Sequence, residues 1–331
     1  MANLALRNPQ YKSITIPATG VLSTVCTITI DGTLAYTINK NVDPSTTASF
    51  DVSELARDFL NITYSATGVV DYIDIVTVLT NRSLINGGGS TVGTATTFTD
   101  KGFEAYGIYT DEANPVIPFI GRSTPTFLLA KDVVNSSDAF EVFAPVGESG
   151  YVHSISSAGS ITLHSYTGSS TSVYVSPTYI CNITRIDCTK YGAGRKIIFI
   201  NKFGVQQELW FFLKEVKTIN RKNERYQSNT IVSASYDVEN APTKIFNTQA
   251  KQTYSLSSGY YPEFAVEYFE QLLLSEYIWM EVPQNESLTS TNIIPVTLKS
   301  SNIVLKTSVN DRLIEYTMEF EDAFDYINNI R

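Results

Sequence analysis

His153 and His164 are the only two histidines of the chain, eleven residues apart in segments that read as strands. A catalytic histidine needs a nucleophile within reach and a third group to orient it. No nucleophile motif adjoins either residue, so both read first as packing residues of a sheet. Carboxylates offer a second chemistry, because Glu315, Glu319, Glu321, Asp322 and Asp325 crowd the end of the chain. Glycosidic cleavage requires two of them to face each other across a cleft. Their regular alternation with apolar residues describes a solvated strand face instead. Cys26, Cys181 and Cys188 fit no metal template, since six residues separate Cys181 from Cys188 and neither has a histidine nearby. Reduced thiols in strands are expected, with a Cys181–Cys188 disulfide as the alternative in an oxidising compartment. The glycines of INGGGSTVGTATTFTD lack the Gly-Lys-Ser/Thr and the following helix of a phosphate loop. No catalytic residue, cofactor or metal is expected.

Binding chemistry is better represented. Lys214, Lys217, Arg221, Lys222 and Arg225 fall within twelve residues of one polar stretch. Read as a loop, this basic arm suits an acidic patch on a neighbouring subunit, where paired charge supplies orientation more than affinity. A solvated loop is the plain alternative. A net charge of -9 argues against a protein that grips nucleic acid by neutralising phosphates, but it suits a wall past which DNA slides. At the other end, Glu315, Thr317 and Glu319 share one face of a strand with Leu313, while Ile314, Tyr316, Met318 and Phe320 share the opposite face. An acidic face of this kind could line such a passage or simply meet solvent. Tyrosines such as those of Gly259-Tyr260-Tyr261 are candidates for sugar stacking, for interface anchors or for core.

The elements that position these residues are read from pattern. Sparse charge, abundant aromatics and many Thr, Ser, Ile and Val describe a mainly β chain, with β-sandwich domains and two short helices. The central stretch runs from Lys196 to Asn229. There two apolar runs flank Asn201-Lys202-Phe203-Gly204, which predicts a hairpin, and Leu209 to Leu213 predict a strand buried on both faces. Near the amino terminus, Asp31-Gly32 turns a second hairpin, and Asp51-Val-Ser-Glu54 opens a helix predicted over 52–61. Residues 72–80 read as a strand. Short β runs between 117 and 177 are expected to continue the sheet of the central hairpin. TIVSASYDV reads as a strand, Pro262 opens a helix that ends near Ser275, and strands follow to a turn at Asn310-Asp311.

Three domains are expected, at 1–115, 116–235 and 236–331, with the option that they pack as two. The amino terminus lacks the pattern of a signal peptide, and the longest apolar runs, about five residues, are far below the roughly 20 that span a bilayer. The expectation is a soluble protein made in a cytoplasm, without membrane insertion.

Three stretches together resemble a known family: RNPQYKSITI with the ITIDGT hairpin, the central FINKFGVQQELWFF, and the terminal SGYYPEFAVEYFEQLLLSEYIWMEV with IIPVTLKSS and LIEYTMEFEDAF. They are similar to tail structural proteins encoded by phages of Bacteroidetes, the crAss-like and flavobacterial phages among them. The resemblance covers about two thirds of the chain and leaves out residues 80–177. It implies tail-tube-like β domains and a virion subunit, assembled in the host cytoplasm as a ring that serves as hub, connector or distal-tail component. In that setting the partners are further copies of the chain, other tail or connector proteins, and DNA that passes during ejection without sequence-specific binding. Lys214, Lys217, Arg221, Lys222 and Arg225 would then form a subunit interface, and Glu315 and Glu319 an acidic lumen face. The alternative is a module at the tail tip that binds host-surface carbohydrate.

Overall fold

A computed structural model describes residues 2–108, 126–129, 140–176, 179–187, 194–229, 231–232, 235–236, 238–282, 293–302 and 313–326. The chain is mainly β, as its composition predicts. It divides into two compact units, residues 1–186 with 199–208 and residues 187–198 with 209–331. Residues 116–235 are therefore shared between the two.

The first unit begins with β1 (Ala2–Ala5), β2 (Tyr11–Thr15), β3 (Ser23–Ile30), β4 (Thr33–Asn41), β5 (Thr47–Asp51), α1 (Ser53–Arg57), β6 (Ile73–Arg82) and β7 (Thr96–Phe103). Five of these strands form a sheet in the order β1-β7-β6-β3-β4, and β2 pairs separately with β5. Asp31 and Gly32, at φ 48° and 79°, make the left-handed two-residue turn that matches the twist of β3 and β4. Along β6 every second residue is buried, so Ile73, Ile75 and Leu79 join Leu6, Ile14, Ile28 and Phe50 in one core.

The helix predicted over 52–61 is shorter, at 53–57. Asp51 does serve its start, accepting from the backbone N–H of Ser53 at 3.0 Å and from Ser53 Oγ at 2.7 Å. Phe59 lies beyond its end, 47% exposed, with its ring edge-on to Tyr36 at 5.9 Å. The glycine loop INGGGSTVGTATTFTD, whose Gly and Thr content predicts poor packing, is held by the Gly87 N–H on Ser23 Oγ and by Asn86 N–H on Asn41 Oδ1.

The strands between 117 and 187 are β8 (Thr126–Phe127), β9 (Phe140–Pro145), β10 (Gly150–Ile155), β11 (Ile161–Tyr166), β12 (Ser172–Ser176) and β13 (Tyr179–Ile186). They do not continue the sheet of the central hairpin. They form two sheets of their own, β11-β10-β8 and β12-β13-β9, which meet where the ring of Phe127 packs 5.5 Å from that of Phe140. Short connections close β10 onto β11 and β12 onto β13, where local closure costs little entropy, while β8 and β9 reach their partners β10 and β13 across longer stretches of chain.

The central hairpin consists of β14 (Arg195–Ile200) and β15 (Gln206–Phe211). Its turn is held by Asn201, whose Oδ1 accepts from the N–H groups of Phe203 at 3.0 Å and Val205 at 3.4 Å. Asn201 Nδ2 donates to Leu128 O and to Gln207 Oε1, both at 3.0 Å, so the side-chain amide uses its full bonding capacity while completely buried. Gly204 sits at φ 74°, and a Cβ there would press on Phe103 and on the backbone of Glu104. All six residues of β15 are buried, including Gln206, Gln207 and Glu208, which the reading of an apolar run left aside.

The second unit carries β16 (Glu215–Gln227), β17 (Ile231–Val232), β18 (Ser235–Tyr236), β19 (Thr243–Pro262), α2 (Val266–Leu274), β20 (Ile278–Glu281), β21 (Ile293–Leu298) and β22 (Leu313–Asp322). Its sheet runs β15-β14-β20-β21-β22-β19-β16. Of the strand expected across TIVSASYDV, the described residues pair with each other, Ile231 with Tyr236 and Val232 with Ser235, and the expected turn at Asn310-Asp311 lies outside the described residues.

Pro262 leads through a 3-10 turn, Glu263–Ala265, into α2, which ends at Ser275 as the pattern predicts. Phe269 on α2 is fully buried, with ring centroids 4.5 Å from Tyr316, 5.1 Å from Tyr261 and 6.0 Å from Phe211. The helix thereby covers one face of the sheet. Phe269→Ala should cost about 3–5 kcal/mol, because a cavity opens where three rings converge. A urea denaturation midpoint unchanged from that of the wild-type chain would refute this account of the core.

Candidate functional site

The basic stretch is a strand. Where a polar loop is expected from Lys214 to Arg225, β16 pairs antiparallel with β19 along thirteen residues, from Glu215 opposite Leu256 to Gln227 opposite Thr243. Its sequence hides this because both faces meet water, so no apolar period survives. On its other side the root of β19 is paired with β22, from Thr253 to Pro262. Beyond Ala250, whose carbonyl accepts from the Tyr326 N–H at 2.7 Å, the two strands form a ribbon with no further paired edge among the described residues, roughly 20 Å long at 3.3 Å per residue.

On this ribbon the register assigns faces. Lys217, Arg221 and Arg225 lie opposite Tyr254, Ala250 and Ile245, on the sheet face that α2 covers nearer the root. Lys222 and Tyr226 lie on the other face. A bulge at Asn247, φ 51°, shifts the register by one residue on β19, and beyond it the rings of Tyr226 and Phe246 meet edge-on at 5.7 Å. Both rings are about half exposed, as are Ile219 and Ile245. Arg221, Lys222, Arg225 and Lys244 make no ion pair among the described residues, and Lys214 is exposed as well.

β22 shows the alternation its sequence predicts. Ile314, Tyr316, Met318 and Phe320 are buried beneath α2, and Glu315, Thr317 and Glu319 are exposed. Glu315 accepts a hydrogen bond from Ser257 Oγ, while Glu321 meets Lys251 at 3.4 Å and Lys299 at 3.6 Å. Glu315 and Glu319 stand four residues apart on one strand, about 13 Å. That is wider than the spacing of either glycosidase geometry. Asp325 is exposed beyond the strand.

Asp322 turns the other way, toward the root of the ribbon. Burial pushes its carboxyl up to about 6, with the charge of Glu321 adding to the rise and Lys217 and a hydrogen bond from Tyr254 opposing it. Lys217 Nζ lies 5.5 Å from the centre of the Tyr254 ring, so cation, ring and acid stand together where the ribbon leaves the sheet. The sequence places Asp322 among the terminal carboxylates but does not show its burial, because alternation alone does not reveal that Lys217 and Tyr254 stand beside its end of the strand.

The two histidines are brought together by the β10–β11 register, in which Val152 lies opposite His164 and His153 opposite Leu163. His153 is fully buried and its Nε2–H donates to the Gly68 carbonyl at 2.7 Å; burial depresses its pKa. His164 Nε2 lies 2.7 Å from Ser154 Oγ, a contact that the sequence does not reveal. Ser154 is 2% exposed, which keeps its hydroxyl away from a substrate carbonyl. A cleft of about 400 Å³ beside His153 is lined mostly by apolar groups, with Lys101 Nζ 3.8 Å above the Tyr72 ring. In the second unit, Tyr260, 62% exposed, borders a cleft of about 550 Å³ with Arg195, Lys214 and Glu215, whereas Tyr261 is core and donates to the Trp210 carbonyl at 2.6 Å.

Cys26 and Cys181 are buried free thiols, with burial raising them to about 11 and about 12; Cys188 lies outside the described residues. No group of three or more metal-ligating side chains occurs among the described residues, and no helix there is long and apolar enough to cross a membrane. Comparison of the chain with protein-family models, with curated proteins and with solved structures gives no match.

The Asp322 environment sets a pH dependence. Its folded carboxyl titrates near 6 and an unfolded one near 4, so between these values the native state binds more protons. Stability from this group is therefore greatest below about pH 4 and falls as pH rises to about 6. Asp322→Asn should raise Tm at pH 7 and flatten the Tm profile between pH 4 and 6. A variant profile parallel to that of the wild type would contradict the assignment.

Proposed function

We propose that this chain is a non-enzymatic structural subunit of a phage tail, which closes with copies of itself into a ring around the DNA channel as a hub, connector or distal-tail component. The observation that carries the reading is the outer ribbon of β16 and β19, where Arg221, Lys222 and Arg225 have no ion pair among the described residues, on a chain whose net charge is -9. An arm that leaves its own sheet, exposes both faces and carries charge opposite to the rest of the chain is built to lie on another surface. The resemblance of the terminal and central motifs to tail proteins of Bacteroidetes phages supplies the setting, and repeated head-to-tail contacts that return on themselves supply the ring.

In this reading Lys214, Lys217, Arg221, Lys222 and Arg225 belong to the subunit interface. The other partners are adjoining tail or connector proteins, and DNA slides past without sequence-specific contact. The subunit is made and assembled in the host cytoplasm.

A second reading, recognition of host-surface carbohydrate, draws on Tyr260 beside the cleft that holds Arg195 and Glu215, since an exposed ring flanked by hydrogen-bonding groups suits a sugar face.

Cryo-electron microscopy of the virion separates the two. Density for this chain in a ring around the tail axis is the expected result, while density in peripheral fibres, or absence from particles, would overturn the ring. Reversing Lys217, Arg221 and Lys222 to Glu should impair assembly, scored as the yield of intact tails; an undiminished yield would count against the interface.

A further inference from the structure

Resting on the subunit reading above, we propose that the acceptor of the ribbon is the exposed face of β22 in the next copy, where Arg221 and Arg225 of one chain pair with Glu315 and Glu319 of its neighbour. Three observations carry this. The first is spacing. Arg221 and Arg225 stand four residues apart on one face of β16, and Glu315 and Glu319 stand four residues apart on one face of β22, so each pair spans about 13 Å. Because the bulge lies on β19, the two arginines keep a common face.

The second is unmet charge. Neither arginine has an ion pair among the described residues, and neither do Glu315 and Glu319, whereas the neighbouring Glu321 is already held by Lys251 and Lys299. A guanidinium matches a carboxylate with two parallel hydrogen bonds, which is why arginine rather than lysine is the group for a docked pair.

The third is sidedness. Ala250, opposite Arg221, shares the sheet face of Tyr254, Leu256 and Phe320, the face under α2; Glu315 and Glu319 lie on the reverse face with Ser255 and Thr317. A chain that lays the arginine face of its ribbon on the glutamate face of a neighbour therefore keeps its own glutamates open on the opposite side. The contact is head-to-tail, the kind that propagates and can close on itself, rather than a twofold pair that stops at two. Ile219 and Ile245 flank the arginines on the same face and supply apolar surface to the contact. The acidic strand face is thus assigned to a subunit contact in place of the lumen.

Sedimentation velocity on the full chain, at 50 mM and 500 mM salt, tests the pairing with three proteins: wild type, R221E/R225E, and E315R/E319R. The expected result is self-association of the wild type that weakens at high salt, with a loss of at least tenfold in each variant and recovery when the two variants are mixed in equal amounts. Recovery on mixing excludes misfolding as the cause of either loss. Wild-type association untouched by both reversals would overturn the pairing while leaving assembly itself in place. A wild-type chain that stays monomeric throughout would also overturn it, and ring density in the virion would still decide the subunit reading independently. A labelled 30-base-pair duplex is the further probe. If R221E/R225E abolishes duplex binding but spares self-association, the ribbon is a nucleic-acid arm and the proposal is wrong.

Discussion

The second unit depends on one packing constraint, the burial of Phe269 among Tyr261, Tyr316 and Phe211. A short helix contributes little stability alone, so α2 exists because its aromatic stripe finds a sheet face to cover. Once that face is committed, the pleat leaves Glu315, Thr317 and Glu319 on the solvent side. The same constraint explains the ribbon. β16 and β19 run past the end of the helical cover, so beyond Ala250 neither face is buried, and charged residues stand there beside half-exposed Tyr226, Ile245 and Phe246. Cover on one side and its absence farther along produce the two surfaces that the subunit reading uses.

The first unit is organised differently, around buried polar groups that are satisfied in place. Asn201 makes four hydrogen bonds at the tip of the central hairpin, and Glu208 accepts from the Tyr166 hydroxyl at 3.2 Å. Arg57 Nη2 lies 2.5 Å from Glu104, which is 3% exposed, and Lys12 Nζ lies 2.5 Å from Asp100. Such pairs stabilise little against a well-packed apolar substitute, yet removing one partner leaves a buried charge uncompensated. Their effect is to select one arrangement of strands, because any other register strands a charge in the core. A Cβ at Gly150 would overlap both Glu208 and Tyr166, so the glycine is part of the same device.

Much of this was legible in advance where local chemistry decides. The turns at Asp31-Gly32 and Asn201 to Gly204 follow from residues that tolerate left-handed backbone, and the alternation of β6 and β22 follows from one buried face. The stop of α2 at Ser275 was equally readable. What escaped was whatever depends on a distant partner. Lys217 to Arg225 carry no apolar period, so only the register with residues 243–256 reveals a strand. The β runs read from the sequence end at residue 177, so β13 is not among them, and its parallel pairing with β9 is written in neither segment.

By itself, then, the sequence determined the mainly β character, the places of the turns, the second helix, and the crowding of cations at 214–225 and of carboxylates at 315–325. These are set by backbone preference, by period and by composition, all of which act within a few residues. Tertiary structure alone decided that the cations stand on a paired ribbon, that Arg221 and Arg225 share one face with Ile245, and that Glu315 and Glu319 lie on the reverse face. It also decided that Asp322 is half-buried beside Lys217. Sidedness and burial are properties of strand register and of what packs above it, and strand register is fixed by contacts between residues far apart in the chain.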